Sequence, residues 1–295
     1  MGQTLRMVAL GTVFLPTLPP ERLRDVARAA DDAGLEQLWL WEDCFEAGGV
    51  SAASAVLAWT ERLHVGVGLL PVPLRNVALA AMEAATLHRL FPGRLLLGVG
   101  HGVQSWMGQA GARVESPLTL LEEFATALRA LLAGDEVTVA GRYVTLDHVR
   151  LHWPPERPPA LLAGAQGPRS LRLCGRIGDG TVLVAGTSPD GVRLARRLVD
   201  EGRAAAGRTD AHPLTVYLLA ATGPDAQQRA DASRPPWSTA GEDVVAVGDA
   251  HAVADTVLRW VDAGAETVVL QPTVDDPDPE GFVRFVAREV RPLVG

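Results

Sequence analysis

Arg94-Leu95-Leu96-Leu97-Gly98-Val99-Gly100-His101-Gly102 is the stretch that decides the fold. Its uninterrupted apolar start predicts a strand covered on both faces, as in a parallel sheet flanked by helices. The alternating glycines then remove side chains where the backbone turns or where a ligand lies against it. Such an ending is either a tight corner or the floor of a site, with His101 at its exit.

Outward from this strand, the chain alternates between strand-like and helix-like segments. Upstream, strands are expected at Met7 to Phe14, Gln37 to Trp41 and Leu63 to Leu70. Helices are expected at Glu21 to Ala33, about Ser51 to Thr60, and Val77 to Leu90. Leu23, Val26, Ala27, Ala30 and Ala33 keep helical spacing, and Gly34 stops that helix as a C-cap. Downstream, a loop rich in Gly, Gln and Trp precedes a helix from Pro117 to near Gly134. The alternation breaks at Val137-Thr138-Val139 and Tyr143-Val144-Thr145-Leu146, which read as a small β-hairpin. It resumes with strands Ala160 to Ala163, Thr181 to Ala185, Leu214 to Ala221 and Thr267 to Leu270. The helices between and after them run to about Ile177, over Asp190 to Ala206, over His251 to Ala263, and from about Gly281. Gly223 to Val247 is polar and irregular, the signature of a lid or binding loop. Eight parallel-type strands favour one α/β domain over residues 1–295, a (β/α)8 TIM barrel with a hairpin insertion. Its site would lie at the C-terminal ends of the strands.

Composition excludes several chemistries. The chain of 295 residues contains no lysine, which removes Schiff-base, pyridoxal-phosphate and Walker-A mechanisms. A net charge of −8 without a basic cluster argues against nucleic acid as a partner. No apolar run reaches membrane-spanning length, and the first residues lack the apolar core of a signal peptide, so a soluble cytoplasmic protein is expected. Cys44 and Cys174 stand apart, outside any disulfide framework or zinc motif. His148 and His152 are four apart but in strand and loop, a poor metal site; none is expected.

The strand ends supply the candidates. Phe14 ends the first strand. Trp41, Glu42, Asp43 and Cys44 end the second, and one member of the acidic pair at most is assigned chemistry. His101 either donates a proton or hydrogen-bonds a ligand, or is a solvent-facing loop histidine. Gly164-Ala165-Gln166-Gly167-Pro168-Arg169 leads a strand into a helix N-terminus, where free backbone N–H groups favour an anion such as phosphate. The bland alternative is a plain turn. Cys44 is a rim thiol or a small filler, and Trp41, Trp106 and Trp237 either wall a pocket or only pack. This set is poor in acid–base groups and rich in glycine, which suits a flat cofactor against backbone better than hydrolysis.

Gly68-Leu69-Leu70-Pro71-Val72-Pro73-Leu74-Arg75, Ala84-Ala85-Thr86-Leu87 and Pro92 to Gly100 resemble the luciferase-like monooxygenase superfamily. Gly164 to Arg169, with Leu173 to Gly180, resembles its branch using the deazaflavin F420. The resemblance implies F420, or alternatively FMN, at the barrel mouth, and a non-proline cis peptide at Gly68–Leu69 beneath the ring. It places the cofactor phosphate on Gly164 to Arg169 and Asp43 near the ring, and it implies a homodimer. Sugar-phosphate dehydrogenases of that branch carry a histidine after the aspartate and a glutamate after the strand-four glycines. Cys44 and His101 stand there instead, which points away from a sugar phosphate.

Three readings follow. The first is an F420-dependent oxidoreductase moving a hydride to or from a small organic substrate. Asp43 or His101 would serve as proton donor or anchor, Gly68, Leu69 and Gly100 would lie under the ring, and Phe14, Trp41, Cys44, Trp106 and Trp237 would form the substrate pocket. The second is an FMN-dependent monooxygenase fed by a partner reductase. The third is a flavin-binding protein without turnover.

Overall fold

A computed structural model describes residues 8–238 and 244–295. The strand start expected at Met7 and part of the Gly223–Val247 segment lie outside them. Among the described residues, eight parallel strands close a ring: β1 (Ala9–Phe14), β2 (Gln37–Leu40), β3 (His64–Pro71), β4 (Leu95–Gly100), β7 (Leu161–Gly164), β8 (Gly180–Leu183), β9 (Leu214–Ala221) and β11 (Thr267–Gln271). The antiparallel pair β5 (Val137–Ala140) and β6 (Thr145–Val149) is the expected hairpin.

Helices α1 (Leu23–Ala33), α2 (Gly49–Trp59), α3 (Val77–Leu90), α5 (Pro117–Ala133), α6 (Pro168–Ile177), α7 (Pro189–Ala205), α9 (Ala250–Asp262) and α10 (Pro279–Phe285) cover the outside. Gly34 and Gly134 stop α1 and α5 in the left-handed conformation that a side chain resists. Arg94, just before β4, donates to the carbonyls of Leu57, Thr60 and Leu63 and to Thr60 Oγ1. It thereby ties the bottom of β4 to the end of α2 and the start of β3. No helix among the described residues is long and apolar enough to cross a membrane.

Two expectations need correction. The loop after β4 contains a short helix, α4 (Gln104–Gln109), whose Met107 is fully buried. Gly223–Val247 is not wholly irregular: it holds α8 (Ala226–Ala232) and β10 (Val245–Val247), which extends the sheet from β9. A six-residue helix with one apolar anchor and a three-residue strand fall below what hydrophobic periodicity registers.

Side chains divide by strand alternation into two layers. Leu10 and Phe14 face the helices, whereas Val13, Trp39, Leu162, Val182, Tyr217 and Val269 fill the barrel interior. Trp39 is fully buried there, and the Cβ of a side chain at Gly11 would lie 3.1 Å from its ring. The interior is a packed core, so any ligand must sit at the rim rather than in a pore.

Candidate active site at the barrel mouth

The Gly68–Leu69 peptide is cis, and the register between β3 and β4 shifts between Val67 and Leu70. Leu69 consequently turns its side chain into the barrel. A Cβ on Gly100 would lie 2.5 Å from Leu69 Cδ1, and one on Gly164 equally close. Both glycines are buried, and the space they leave holds Leu69, which is itself half-buried and presents the surface at the mouth.

Tyr217 stands opposite on β9. Its hydroxyl donates to the Gly68 carbonyl at 3.3 Å, and its ring meets Trp39 and Trp41 edge-on at 5.8 and 5.4 Å. Complete burial drives its pKa well above the usual phenol range, so it stays protonated as a donor. The Trp41 indole nitrogen is buried beside it. Sequence reading missed Tyr217; the signal was the lone aromatic residue in the run Leu214–Ala221.

The acidic pair after β2 separates by role. Glu42 accepts from the Gly49 amide at 2.7 Å, capping α2, and grips the Arg75 guanidinium with both oxygens. Arg75 also reaches Glu83 at 3.1 Å. Glu42 is therefore occupied structurally. Among the described residues Asp43 has no such partner, and burial, reinforced by the nearby Glu46 charge, raises its pKa to about 6. A carboxyl that titrates near neutrality at a barrel mouth is suited to giving and taking a proton. Cys44 is half-buried, and burial with the charges of Glu42 and Asp43 raises its pKa, so the thiol stays protonated and unreactive. The Cys44–Phe45 peptide is also cis.

His101 is half-buried beyond β4, with Nδ1 3.0 Å from the Gly102 carbonyl. A carbonyl only accepts, so Nδ1 carries a proton, and in the neutral ring Nε2 is left as an acceptor. Gln104 Nε2 donates to the His101 carbonyl at 3.0 Å and fixes this corner. Asp43 and His101 thus occupy the same rim on different strands, with no hydrogen bond joining them among the described residues.

Beyond β7, Ala165 is buried while Gln166, Gly167, Pro168 and Arg169 are exposed. Gly167 caps α6, Pro168 opens it, and the first-turn amides of Arg169 and Ser170 have no partner within the helix. An exposed helix start with glycine before it fits an anionic group.

The proposed pocket wall is dispersed. Trp237 is largely exposed, with Nε1 donating to the Ala185 carbonyl at 2.9 Å, and it covers Gly186 on the rim after β8. Trp106 is half-buried on α4. Strand alternation turns Phe14 away from the barrel axis into the helical layer. There it lines, with Trp41, a cleft of about 660 Å³ between the β1–α1 loop and α2.

The chain is thus a closed β/α barrel whose strand ends carry Leu69, Asp43, His101 and the exposed start of α6 at one rim. The chain belongs to the luciferase-like monooxygenase family, whose profile matches residues 7–242. It is 30% identical over 202 residues to a 5,10-methylenetetrahydromethanopterin reductase of Methanolobus tindarius, covering 68% of this chain and 61% of that protein. It is 31% identical over 209 residues to an F420-dependent glucose-6-phosphate dehydrogenase of Nakamurella multipartita, covering 62% and 61%. The chain thus spans about three fifths of the length of these two relatives. An F420-dependent secondary alcohol dehydrogenase in complex with an F420–acetone adduct superposes with a TM-score of 0.87 at 20% identity, over 98% of this chain and 99% of that one. That likeness establishes the shared barrel.

Proposed function

We propose that this protein is an F420-dependent oxidoreductase working as one barrel domain on a small organic substrate. The observation that carries the reading is Asp43, a carboxyl with a pKa of about 6 at the edge of an otherwise apolar mouth. The relatives named above support F420 over FMN. The bound deazaflavin would supply a carbon that accepts or releases hydride.

The chain's own residues would do the rest. Leu69, seated over Gly100 and Gly164, would back the ring, and Tyr217 would hold the Gly68 carbonyl behind it. The start of α6, from Gln166 to Arg169, would take the cofactor's phosphate. Asp43 would hold or release the proton that accompanies the hydride, and His101 Nε2 would accept a hydrogen bond from the substrate. The packed interior of Val13, Trp39 and Val269 would exclude water from beneath.

The exposed Leu79 and Met82, one turn apart on α3, support a homodimer, since apolar side chains grouped on a helix face mark interaction surfaces. A cytoplasmic enzyme drawing reduced cofactor from a partner reductase completes the proposal. Parallel titration of the purified protein with F420 and FMN tests it. F420 binding in the micromolar range or tighter, followed by substrate-dependent change at the deazaflavin absorbance, is expected. Tight FMN binding without affinity for F420 overturns it in favour of the monooxygenase reading. Cofactor binding without turnover across a substrate panel favours a binding protein.

A further inference from the structure

The cleft between the β1–α1 loop and α2 borders the core at Phe14, Leu23 and Leu40. At about 660 Å³ it falls in the range of small-molecule sites. Phe14, Leu18 and Trp41 form one wall, and Ala52, Ala55 and Trp59 of α2 form the other. Leu18 and Trp41 also pack against the barrel-interior cluster, and Trp41 is two residues from Asp43, so the cleft adjoins the mouth at Trp41. The polar side chains lining it are Thr17, Glu46 and Ser51, and none of its lining residues is an arginine or histidine. Of the nearby cations, Arg75 is held by Glu42 and Glu83, and Arg24, outside the lining, stacks over the Trp59 ring at 5.8 Å. A negatively charged substrate would therefore face the Glu46 carboxylate with no counter-charge among the lining residues.

We infer that the substrate is an uncharged molecule with an apolar portion, and that this portion lies in the cleft while the reacting carbon reaches the mouth past Trp41. The inference rests on the oxidoreductase reading for the reaction but not for the binding, which the cleft performs without cofactor. Small residues at Ala52 and Ala55 set its width. Trp41, shared by cleft and mouth, is the specificity-determining side chain at the junction.

The test is calorimetric titration of the cofactor-free protein with methyl ketones from 2-butanone to 2-nonanone, and with nonanoate. Affinity is expected to rise about threefold to fourfold per added methylene, the gain for burying each one. Nonanoate is expected to bind at least tenfold more weakly than 2-nonanone. Ala55→Leu, which places a branched side chain in the cleft and keeps a good helix former, is expected to weaken 2-nonanone at least tenfold at an unchanged melting temperature. Trp59→Ala, which removes the other end of the wall, serves as the second variant and is expected to weaken it similarly. Affinity independent of chain length, a preference for nonanoate, or unaltered 2-nonanone binding in both variants overturns the inference. F420 titration of the same samples reports separately on the mouth, so failure of the cofactor reading and failure of the cleft are distinguishable.

Discussion

Leu69 occupies the space that a side chain on Gly164 would need: a Cβ there would meet its Cδ1, Cδ2 and Cγ atoms at 2.5, 2.8 and 3.1 Å. The surface at the mouth is thus built by one leucine lying against two glycines from neighbouring strands, Gly100 and Gly164. Gly164→Ala is expected to destabilise the protein by about 1–3 kcal/mol, the usual cost of forcing an extra methyl into a packed site. Leu69→Ala added to it should recover part of that loss, because the clash is with the leucine alone. A urea-denaturation double-mutant cycle checks this coupling, and strict additivity of the two changes would refute it.

Asp43 carries a pH signature that separates a buried acid from a surface one. Its folded pKa of about 6 lies above the ordinary carboxyl value, so the folded state holds the proton more tightly than the unfolded chain. Ionising the buried group therefore costs stability, and the cost grows as pH rises from about 4 to about 6, levelling off beyond. Asp43→Asn removes it. The variant should gain on the wild type across that window, by up to about 3 kcal/mol at pH 8. Glu46→Gln should shift the window downward, since the Glu46 charge contributes to the rise. Thermal midpoints from pH 4 to pH 8 would show this, and parallel curves would exclude a raised Asp43.

Much of this architecture was legible because the local signals and the tertiary packing agree. Helix α3 runs over Val77–Leu90 and strand β9 over Leu214–Ala221, the limits their apolar patterns and flanking breakers set. The orientation of Phe14 was also legible, since strict alternation places it opposite Val13. The use of the glycines was not available. Gly98, Gly100 and Gly164 carry no record of what fills the space above them, and a distant leucine does so only because β3 bulges. The cleft was hidden for a similar reason: its walls come from a proline-rich loop and a helix whose facing depends on tertiary packing. Asp43 and Glu42 are adjacent in sequence, and only Arg75 and the Gly49 amide distinguish their roles.

Asp179 marks the opposite, N-terminal end of the barrel. It accepts from Arg129 Nη1 at 2.9 Å, from Arg208 Nη2 at 2.7 Å and from the Leu161 amide at 2.8 Å. Burial alone would raise its pKa, but the Leu161 amide and the two guanidiniums outweigh burial and hold it below the ordinary value. Its contribution is therefore fully present above the unfolded pKa and is lost as pH falls through the folded one. Asp179→Asn should cost about 2–4 kcal/mol at pH 7, because two guanidiniums lose their acceptor. The gap between variant and wild type should begin to narrow only below about pH 4. Denaturation curves at pH 7 and pH 3 test both statements, and a gap as wide at pH 3 as at pH 7 counts against the ion-pair account. F420 affinity should be unaffected, since the site lies at the other end of the strands.

Helices α6 and α7 cross on a reciprocal pair of glycines. A Cβ on Gly175 would fall inside contact distance of the Val199 carbonyl oxygen, and one on Gly202 inside that of the Arg172 carbonyl oxygen. Both obstacles are backbone atoms of the opposite helix and cannot rotate aside, so any side chain at either position must push the helices apart. Gly202→Ala is expected to cost about 3 kcal/mol, at the upper end for overpacking. Arg193→Ala, an exposed change on the same helix, should stay within about 0.5 kcal/mol. The crossing also bears on function, because α6 is the helix whose first turn, from Pro168 to Ser170, is proposed to receive the cofactor's phosphate. Displacing α6 against α7 tilts those amides away from the mouth, while the side chains of Asp43 and Leu69 stay in place. F420 should then bind Gly202→Ala at least tenfold more weakly, whereas the apolar ketones in the cleft between the β1–α1 loop and α2 should bind as before. Equal loss of both ligands would mean general unfolding, and an unchanged F420 affinity would mean that α6 does not hold the phosphate.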